Sequence, residues 1–346
     1  MGDRRRILFS GTSEYGGYIG SLASGFINNG WHCQIFDDYK CYTKKYGIFK
    51  NKYLYRLFWG HLTKVVESEL IENINRFKPD ILFIVKGFYY SDTFISRLKL
   101  KYKNIFIANF NPDNTFNDWH FGNSNKWILK STPYYDCIYT WGANLVDAFN
   151  RIGAKKSAHL PFAFDSALHK SEETNIRQQK KVISFIGTWD EEREWWISKL
   201  KNLDINIYGG NWNKSTKSIR KKVVLNDVRG ANFSKICSES AVNLNILRLQ
   251  NKDSHNMKSY EIPGCGGFML ASSSIEHSEF LIEGIEADYF STPEELYERS
   301  NFYLNNLDLS KEIATRAKIK IHNKSYSYSA RASQIIGDYW KFKNEY

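Results

Sequence analysis

The feature that most constrains this chain is an alternation of strand, turn and helix that runs through it twice. Ile7-Leu8-Phe9-Ser10-Gly11 is a short apolar strand entering the loop Gly11-Thr12-Ser13-Glu14-Tyr15-Gly16-Gly17, after which Ile19, Leu22, Ala23, Phe26 and Ile27 fall at helical spacing. Gly30-Trp31-His32 stops that helix, and Cys33 to Asp37 reads as the next strand. Strand, crossing helix and second strand in so short a span form the βαβ unit from which parallel sheets are built. The pattern continues with helices over 65–77, 93–100 and 144–152 and strands over 80–85, 105–109 and 137–140, and the segment His159-Leu160-Pro161-Phe162 closes a first domain near residue 165. Residues 166–181 turn polar and lose apolar periodicity, as a linker does. The alternation then restarts, with strands over 182–186, 205–209, 241–246 and 267–270 and helices over 191–200, 293–304 and 310–322.

At 346 residues the chain exceeds what one hydrophobic core usually organises. The expected fold class is therefore α/β, with two Rossmann-like doubly wound domains, 1–165 and 182–325, facing a central cleft, because open α/β sheets place ligands at the carboxyl ends of their strands. In 326–346, Ala332, Ile335, Ile336, Tyr339 and Trp340 form an apolar stripe at helical spacing and predict a terminal helix.

Composition narrows the function classes. The longest uninterrupted apolar run, Ile81 to Val85, is far short of the ~20 residues that cross a bilayer, and Ile7-Leu8-Phe9 is too brief for a signal peptide. A cytoplasmic protein is expected. Five cysteines (Cys33, Cys41, Cys137, Cys237 and Cys265) lack CxxC or metal-ligand spacing, so reduced thiols are expected and no metal. The excess of 48 Lys and Arg over 37 Asp and Glu suits nucleic acid, an anionic membrane face or a phosphorylated small molecule. The basic residues are dispersed and match no nucleic-acid-binding motif, which disfavours the first.

The most informative stretch runs from Asp253 to Leu270. Glu261 stands eight residues after Asp253, Lys258 lies one helical turn before Glu261, and a glycine turn feeds an apolar strand. A helix carboxylate can accept both ribose hydroxyls while a lysine supplies the point charge a diphosphate needs. The same spacing equally suits a surface ion pair three residues apart. The block Lys258-Ser259-Tyr260-Glu261-Ile262-Pro263-Gly264-Cys265-Gly266-Gly267-Phe268-Met269-Leu270 resembles the GT-B glycosyltransferases, in particular the CgeB-like group of spore proteins, which carry an Arg-x-Phe-Glu-Ile-Pro-Ala-Cys-Gly-Gly-Phe-Met-Leu type of block. The likeness extends through Phe280 to Phe290, Pro293 to Leu296 and Ser329 to Ala332. Upstream it takes in Ser184-Phe185-Ile186-Gly187-Thr188 with Arg193, and Leu160 to Asp165. Two positions depart from it: Lys258 replaces an arginine, and Asp253 replaces the first glutamate of the acid-x7-acid pair of related retaining enzymes.

The resemblance implies a GT-B fold, an N-terminal acceptor domain, a C-terminal nucleotide-sugar domain, and a last helix that crosses back to the first domain. It implies a metal-independent glycosyltransferase with no cofactor, acting from a nucleotide-sugar on a glycan, lipid-linked or other hydroxyl acceptor in cell-surface polysaccharide or glycoconjugate synthesis, with peripheral contact at the inner membrane face. Gly17, Gly187, Thr188, Arg193, Lys258 and Glu261 would then bind the donor nucleotide and phosphates, with Asp253 a catalytic candidate near the transferred sugar. No DxD motif is offered, since Asp37 and Asp38 are adjacent rather than spaced.

Asn111-Pro112-Asp113-Asn114, at a carboxyl strand end, is strong turn chemistry, yet a carboxylate there is also where an inverting enzyme needs a base. Asp113 is therefore a catalytic candidate, with His120 behind it; His32 reads as structural. Retention and inversion both stay open, as do a same-fold epimerase or phosphorylase and a noncatalytic nucleotide- or carbohydrate-binding protein.

Overall fold

A computed structural model describes residues 4–45, 59–117, 126–170, 179–323 and 326–345. His120 lies outside them. The chain divides into two compact units, 1–161 with 328–346, and 162–327.

The first unit contains β1 (Arg6–Ser10), α1 (Tyr18–Asn28), β2 (His32–Phe36), α2 (Asp38–Lys45), α3 (Trp59–Phe77), β3 (Ile81–Val85), α4 (Asp92–Lys101), β4 (Phe106–Asn111), α5 (Lys126–Ser131), β5 (Cys137–Thr140), α6 (Val146–Arg151) and β6 (Ser157–His159). Its six strands lie in the order β2-β1-β3-β4-β5-β6, every neighbouring pair parallel. Parallel sheets are covered on both faces, which is why β3 and β4 are buried at every residue.

The second unit contains β7 (Lys180–Ile186), α7 (Glu191–Ser198), β8 (Ile205–Tyr208), α8 (Lys217–Arg220), β9 (Val223–Leu225), α9 (Gly230–Glu239), β10 (Ser240–Asn245), α10 (Lys258–Gly264), β11 (Met269–Ser272), α11 (Ile275–Phe280), β12 (Asp288–Phe290), α12 (Pro293–Asn305) and α13 (Leu307–His322). Its order is β12-β11-β10-β7-β8-β9, again parallel throughout.

The last helix, α14 (Tyr328–Glu345), belongs to the first unit. Ala332, Ile335 and Tyr339 are buried there as the stripe predicts, whereas Trp340 is exposed under the guanidinium of Arg5. Asp338 on this helix accepts a hydrogen bond from the Tyr139 hydroxyl at 2.9 Å and pairs with Lys156 at 2.6 Å. Gly25 lets α1 approach α14: a Cβ there would sit 2.3 Å from the Tyr328 carbonyl oxygen.

The junction between units falls at Pro161, four residues before the expected boundary. The reason is local: the Asp165 carboxylate accepts the backbone N–H groups of Ala167 and Leu168, and buried His169 accepts the Asp165 N–H, so residues 165–169 fold into the second unit instead of trailing as a linker. Residues 171–178 lie outside the described residues, and Lys180 and Lys181 already belong to β7.

Candidate functional site

Each sheet has one place where strand order reverses, between β1 and β3 in the first and between β7 and β10 in the second. The connections leave in opposite directions there, opening a crevice at the carboxyl ends of the strands. Gly17 and Asp113 lie in the first unit, and Gly187, Thr188, Arg193, Asp253, Lys258 and Glu261 in the second.

In the second unit Gly187 and Thr188 follow β7. The Gly187 N–H donates to the Tyr208 carbonyl at 2.8 Å and its own carbonyl accepts the Trp212 indole N–H at 2.9 Å. Gly209, at φ +140, brings β8 so near that a Cβ would lie 2.1 Å from the Gly187 oxygen. Arg193, in the first turn of α7, reaches back across the crevice. Its guanidinium donates to the carbonyls of Thr188 at 2.9 Å and Ile246 at 3.4 Å, and its Nε lies 3.5 Å from Asp190, the N-cap of α7. Burial, with Arg248 nearby, pulls the Arg193 pKa down to about 10, which leaves it charged at neutral pH. Arg193 thus ties the end of β7 to the end of β10 through its two terminal nitrogens, while its buried Nε has no hydrogen-bond partner among the described residues. Arg248, which the sequence reading missed, shares the Asp190 carboxylate at 3.2 Å.

The loop after β10 carries exposed Asp253, and α10 carries Lys258 and Glu261. Lys258 Nζ pairs with the Glu261 carboxylate at 2.8 Å and lies over the Phe233 ring at 4.4 Å, and His169 Nε2 is 3.9 Å from the other Glu261 oxygen. Glu261 is 4% exposed and Lys258 29%, so the lysine is the outer member of the pair. Burial alone would raise the Glu261 pKa; Lys258 and His169 overcome it and hold the carboxyl below its ordinary value. Beside this pair Asn256 donates to Asn245, Asn245 to Ser259, and Ser259 meets the imidazole of His277 at 2.7 Å. Burial pushes His277 down to about 4, so this network is uncharged.

In the first unit Gly17 is the N-cap of α1, which starts without a side-chain cap or an acidic first turn. Asp113 follows β4 in the anticipated Asx turn, its N–H bonded to the Asn111 side chain at 3.1 Å, and its carboxylate pairs with Lys86 at 2.6 Å. His32 opens β2 with its ring edge-on to Phe77. A cavity of ≈ 320 Å³ lies at the reversal point, lined by Thr12 after β1, Tyr18 and Ile19 on α1, Asp38 after β2, and Val85, Lys86, Phe88 and Tyr89 at and beyond the end of β3. Among the described residues no group of three His, Cys, Asp or Glu side chains gathers as a metal site, and no helix is long and apolar enough to cross a membrane.

Comparison with known proteins gives this geometry a class. Residues 192–337, which hold α7, the Asp253 loop and α10, match the family described as glycosyl transferase-like. The whole chain has the fold of a sucrose-phosphate synthase from Thermosynechococcus elongatus (10% identity, TM-score 0.70, 99% of this chain and 100% of that one). It shares that fold with the Anabaena protein HepE, solved with UDP and glucose (11%, TM-score 0.67, 98% and 100%), and with a glycosyltransferase from Rickettsia africae (13%, TM-score 0.66, 99% and 100%). No curated protein matches at the level of sequence. The fold is GT-B, and residues 192–337 are similar to the glycosyl transferase-like family.

Proposed function

We propose that the protein is a metal-independent glycosyltransferase that moves a sugar from a nucleoside-diphosphate donor to a hydroxyl acceptor in the synthesis of a cell-surface glycan or lipid-linked conjugate. The observation that carries this reading is the position of Asp253, Lys258 and Glu261. They follow β10 at the strand-order reversal of the second sheet, inside the segment that matches the glycosyl transferase-like family. UDP or a related nucleotide is the natural probe, since HepE binds UDP and UDP-glucose.

Lys258, the outer member of its ion pair, has a flexible stem and a compact charge suited to a diphosphate. Glu261 beneath it keeps the carboxylate that two ribose hydroxyls need, and its depressed pKa keeps it ionised at neutral pH. The departing diphosphate gathers negative charge, which fixed lysines and helix N-termini stabilise without a metal. In a retaining transfer the leaving phosphate itself accepts the acceptor proton, and Asp113 then positions hydroxyls instead of acting as a base.

Titration with UDP should show binding to the wild type and a loss of about 1–3 kcal/mol in Glu261→Gln, the scale of a charge-assisted hydrogen bond. Equal affinity in both proteins removes Glu261 from the site, and failure to bind UDP, GDP, CMP or dTDP overturns the reading. Asp113→Asn should keep appreciable turnover, because an amide still hydrogen-bonds. A fall of ~10²-fold or more with an inverted anomer by NMR would make Asp113 the catalytic base.

A further inference from the structure

The two oxygens of the buried Glu261 carboxylate are unequally provided for. Oε2 accepts a hydrogen bond from the Lys258 ammonium at 2.8 Å. Oε1 faces the imidazole of His169, whose Nε2 lies 3.9 Å away, and among the described residues no hydrogen bond reaches that oxygen. His169 ends the stretch 165–169, which reads as linker in the sequence and folds into the second unit. It is held there by its neighbours: the Ser234 hydroxyl donates to the Leu168 carbonyl at 2.9 Å, and the His169 ring lies 5.7 Å from that of Phe233. The same Phe233 ring carries the Lys258 ammonium, so one aromatic side chain seats both groups that flank Glu261.

The hydrogen bonding of His169 decides what it offers Glu261. Its Nδ1 accepts the Asp165 backbone N–H at 2.9 Å, which assigns the ring proton to Nε2, the nitrogen that faces the carboxylate. A second proton, on Nδ1, would break the Asp165 bond, and burial, with Lys258 adding to it, lowers the His169 pKa as well. The ring is therefore neutral at pH 7. It presents an N–H dipole to Glu261, not a second cation.

A glutamate's terminal torsion is broad, so a carboxylate anchored at one oxygen still turns about its last bond. An apolar neighbour at Oε1 would leave it free to swing both oxygens onto Lys258, and a cation there would compete with any incoming hydroxyl for the lone pairs. A neutral donor set back at 3.9 Å does neither: it orients the oxygen without occupying it. We propose that His169 is a positioning residue of the donor site, its Nε2–H fixing the plane of the Glu261 carboxylate so that Oε1 stays available to a ribose hydroxyl. The inference rests on the reading of Glu261 as the ribose ligand given under the proposed function.

The test titrates the full chain with UDP and with 2′-deoxy-UDP, or with GDP and 2′-deoxy-GDP should UDP fail to bind. The wild type should prefer the ribonucleotide about tenfold, the scale of one hydrogen bond to a charged group. His169→Phe keeps a ring against Phe233 but has no N–H, and should bring that preference down to about twofold or less while the deoxynucleotide binds nearly as before. His169→Gln, whose amide both accepts and donates, should keep most of the preference. A His169→Phe protein that retains the full preference, or that loses affinity for both nucleotides equally, overturns the proposal and leaves His169 a packing residue. Should His169→Phe fail to fold, imidazole nitrogen NMR of the wild type decides: Nε2 should carry the proton and shift more with UDP than with 2′-deoxy-UDP, and a ring protonated at Nδ1 or unmoved by UDP overturns the proposal. A wild type that binds both nucleotides alike removes Glu261 as the ribose ligand, and this inference with it, yet leaves the proposed function standing. Binding of no nucleotide overturns that function itself.

Discussion

Asp38 and Glu261 are both buried carboxyls that follow a strand of a parallel sheet, and burial has opposite outcomes at the two. Glu261 has a lysine at 2.8 Å and a histidine at 3.9 Å, and its pKa lies below the ordinary value. Asp38 has backbone amides and an acidic neighbour, and its pKa rises to about 7. Desolvation acts the same way on both; the presence of a cation decides the sign. The two strand-order reversals differ in parallel fashion. Arg193 bridges the one between β7 and β10 from Thr188 to Ile246, while the one between β1 and β3 keeps an open cavity. One topology thus yields a charge-compensated crevice in one sheet and an uncompensated one in the other.

The largest expected effect breaks the compensated side. Gly209→Ala combines a left-handed φ with a Cβ driven onto the Gly187 carbonyl, so urea unfolding should show a loss of about 3 kcal/mol or more. A near-native midpoint would mean that the β7–β8 approach is soft and does not set the crevice.

Next comes Asp38→Asn, where the sign reverses. The folded value, about 7, lies above the unfolded value near 3.9, so the stability linked to Asp38 is present in acid and lost as pH rises through 7. At pH 8 Asp38→Asn should therefore be more stable than wild type, on the order of 3 kcal/mol, with the gain shrinking toward pH 5. A variant that melts lower at pH 8 would show that Asp38 is compensated after all.

The smallest is Glu261→Gln, which should cost about 1–3 kcal/mol near neutral pH. Its depressed pKa makes this contribution fully present above the ordinary carboxylate range and lost as pH falls through the folded value. The gap between wild type and variant should close in acid, opposite in direction to Asp38. Parallel melting curves at every pH would erase the contrast.

The repeated alternation and most of both sheets were legible because parallel strands buried on two faces appear as apolar runs, unbroken in Ile81 to Val85 and interrupted only by Asn109 in Phe106 to Phe110. The short strands β9 and β12 were not, since three residues carry too little pattern and β9 is largely exposed. Lys258 and Glu261 could be paired from their spacing on one helix. Arg193, Arg248 and Asp38 could not be understood that way: their surroundings come from residues 53 to 58 positions away for the arginines, Ile246 just past β10 and Asp190 at the N-cap of α7, and, for Asp38, from the far end of β3. Adjacent Asp37 and Asp38 read in sequence only as a failed metal motif, whereas the fold pairs Asp37 locally with Lys40 three residues on and buries Asp38.

The hydrogen of Gly25 that admits the Tyr328 carbonyl also fixes an order of events during synthesis. Residues 162–327 are contiguous and can fold as soon as they leave the ribosome, but the earlier unit lacks α14 until the chain has been extended past residue 328. At roughly 5–20 residues per second, that leaves the first-made unit without its last helix for on the order of ten seconds or more, with Trp31 and Phe106 waiting for Tyr339. The part translated first is the part finished last, so the nascent chain's need for chaperones should centre on its amino-terminal half.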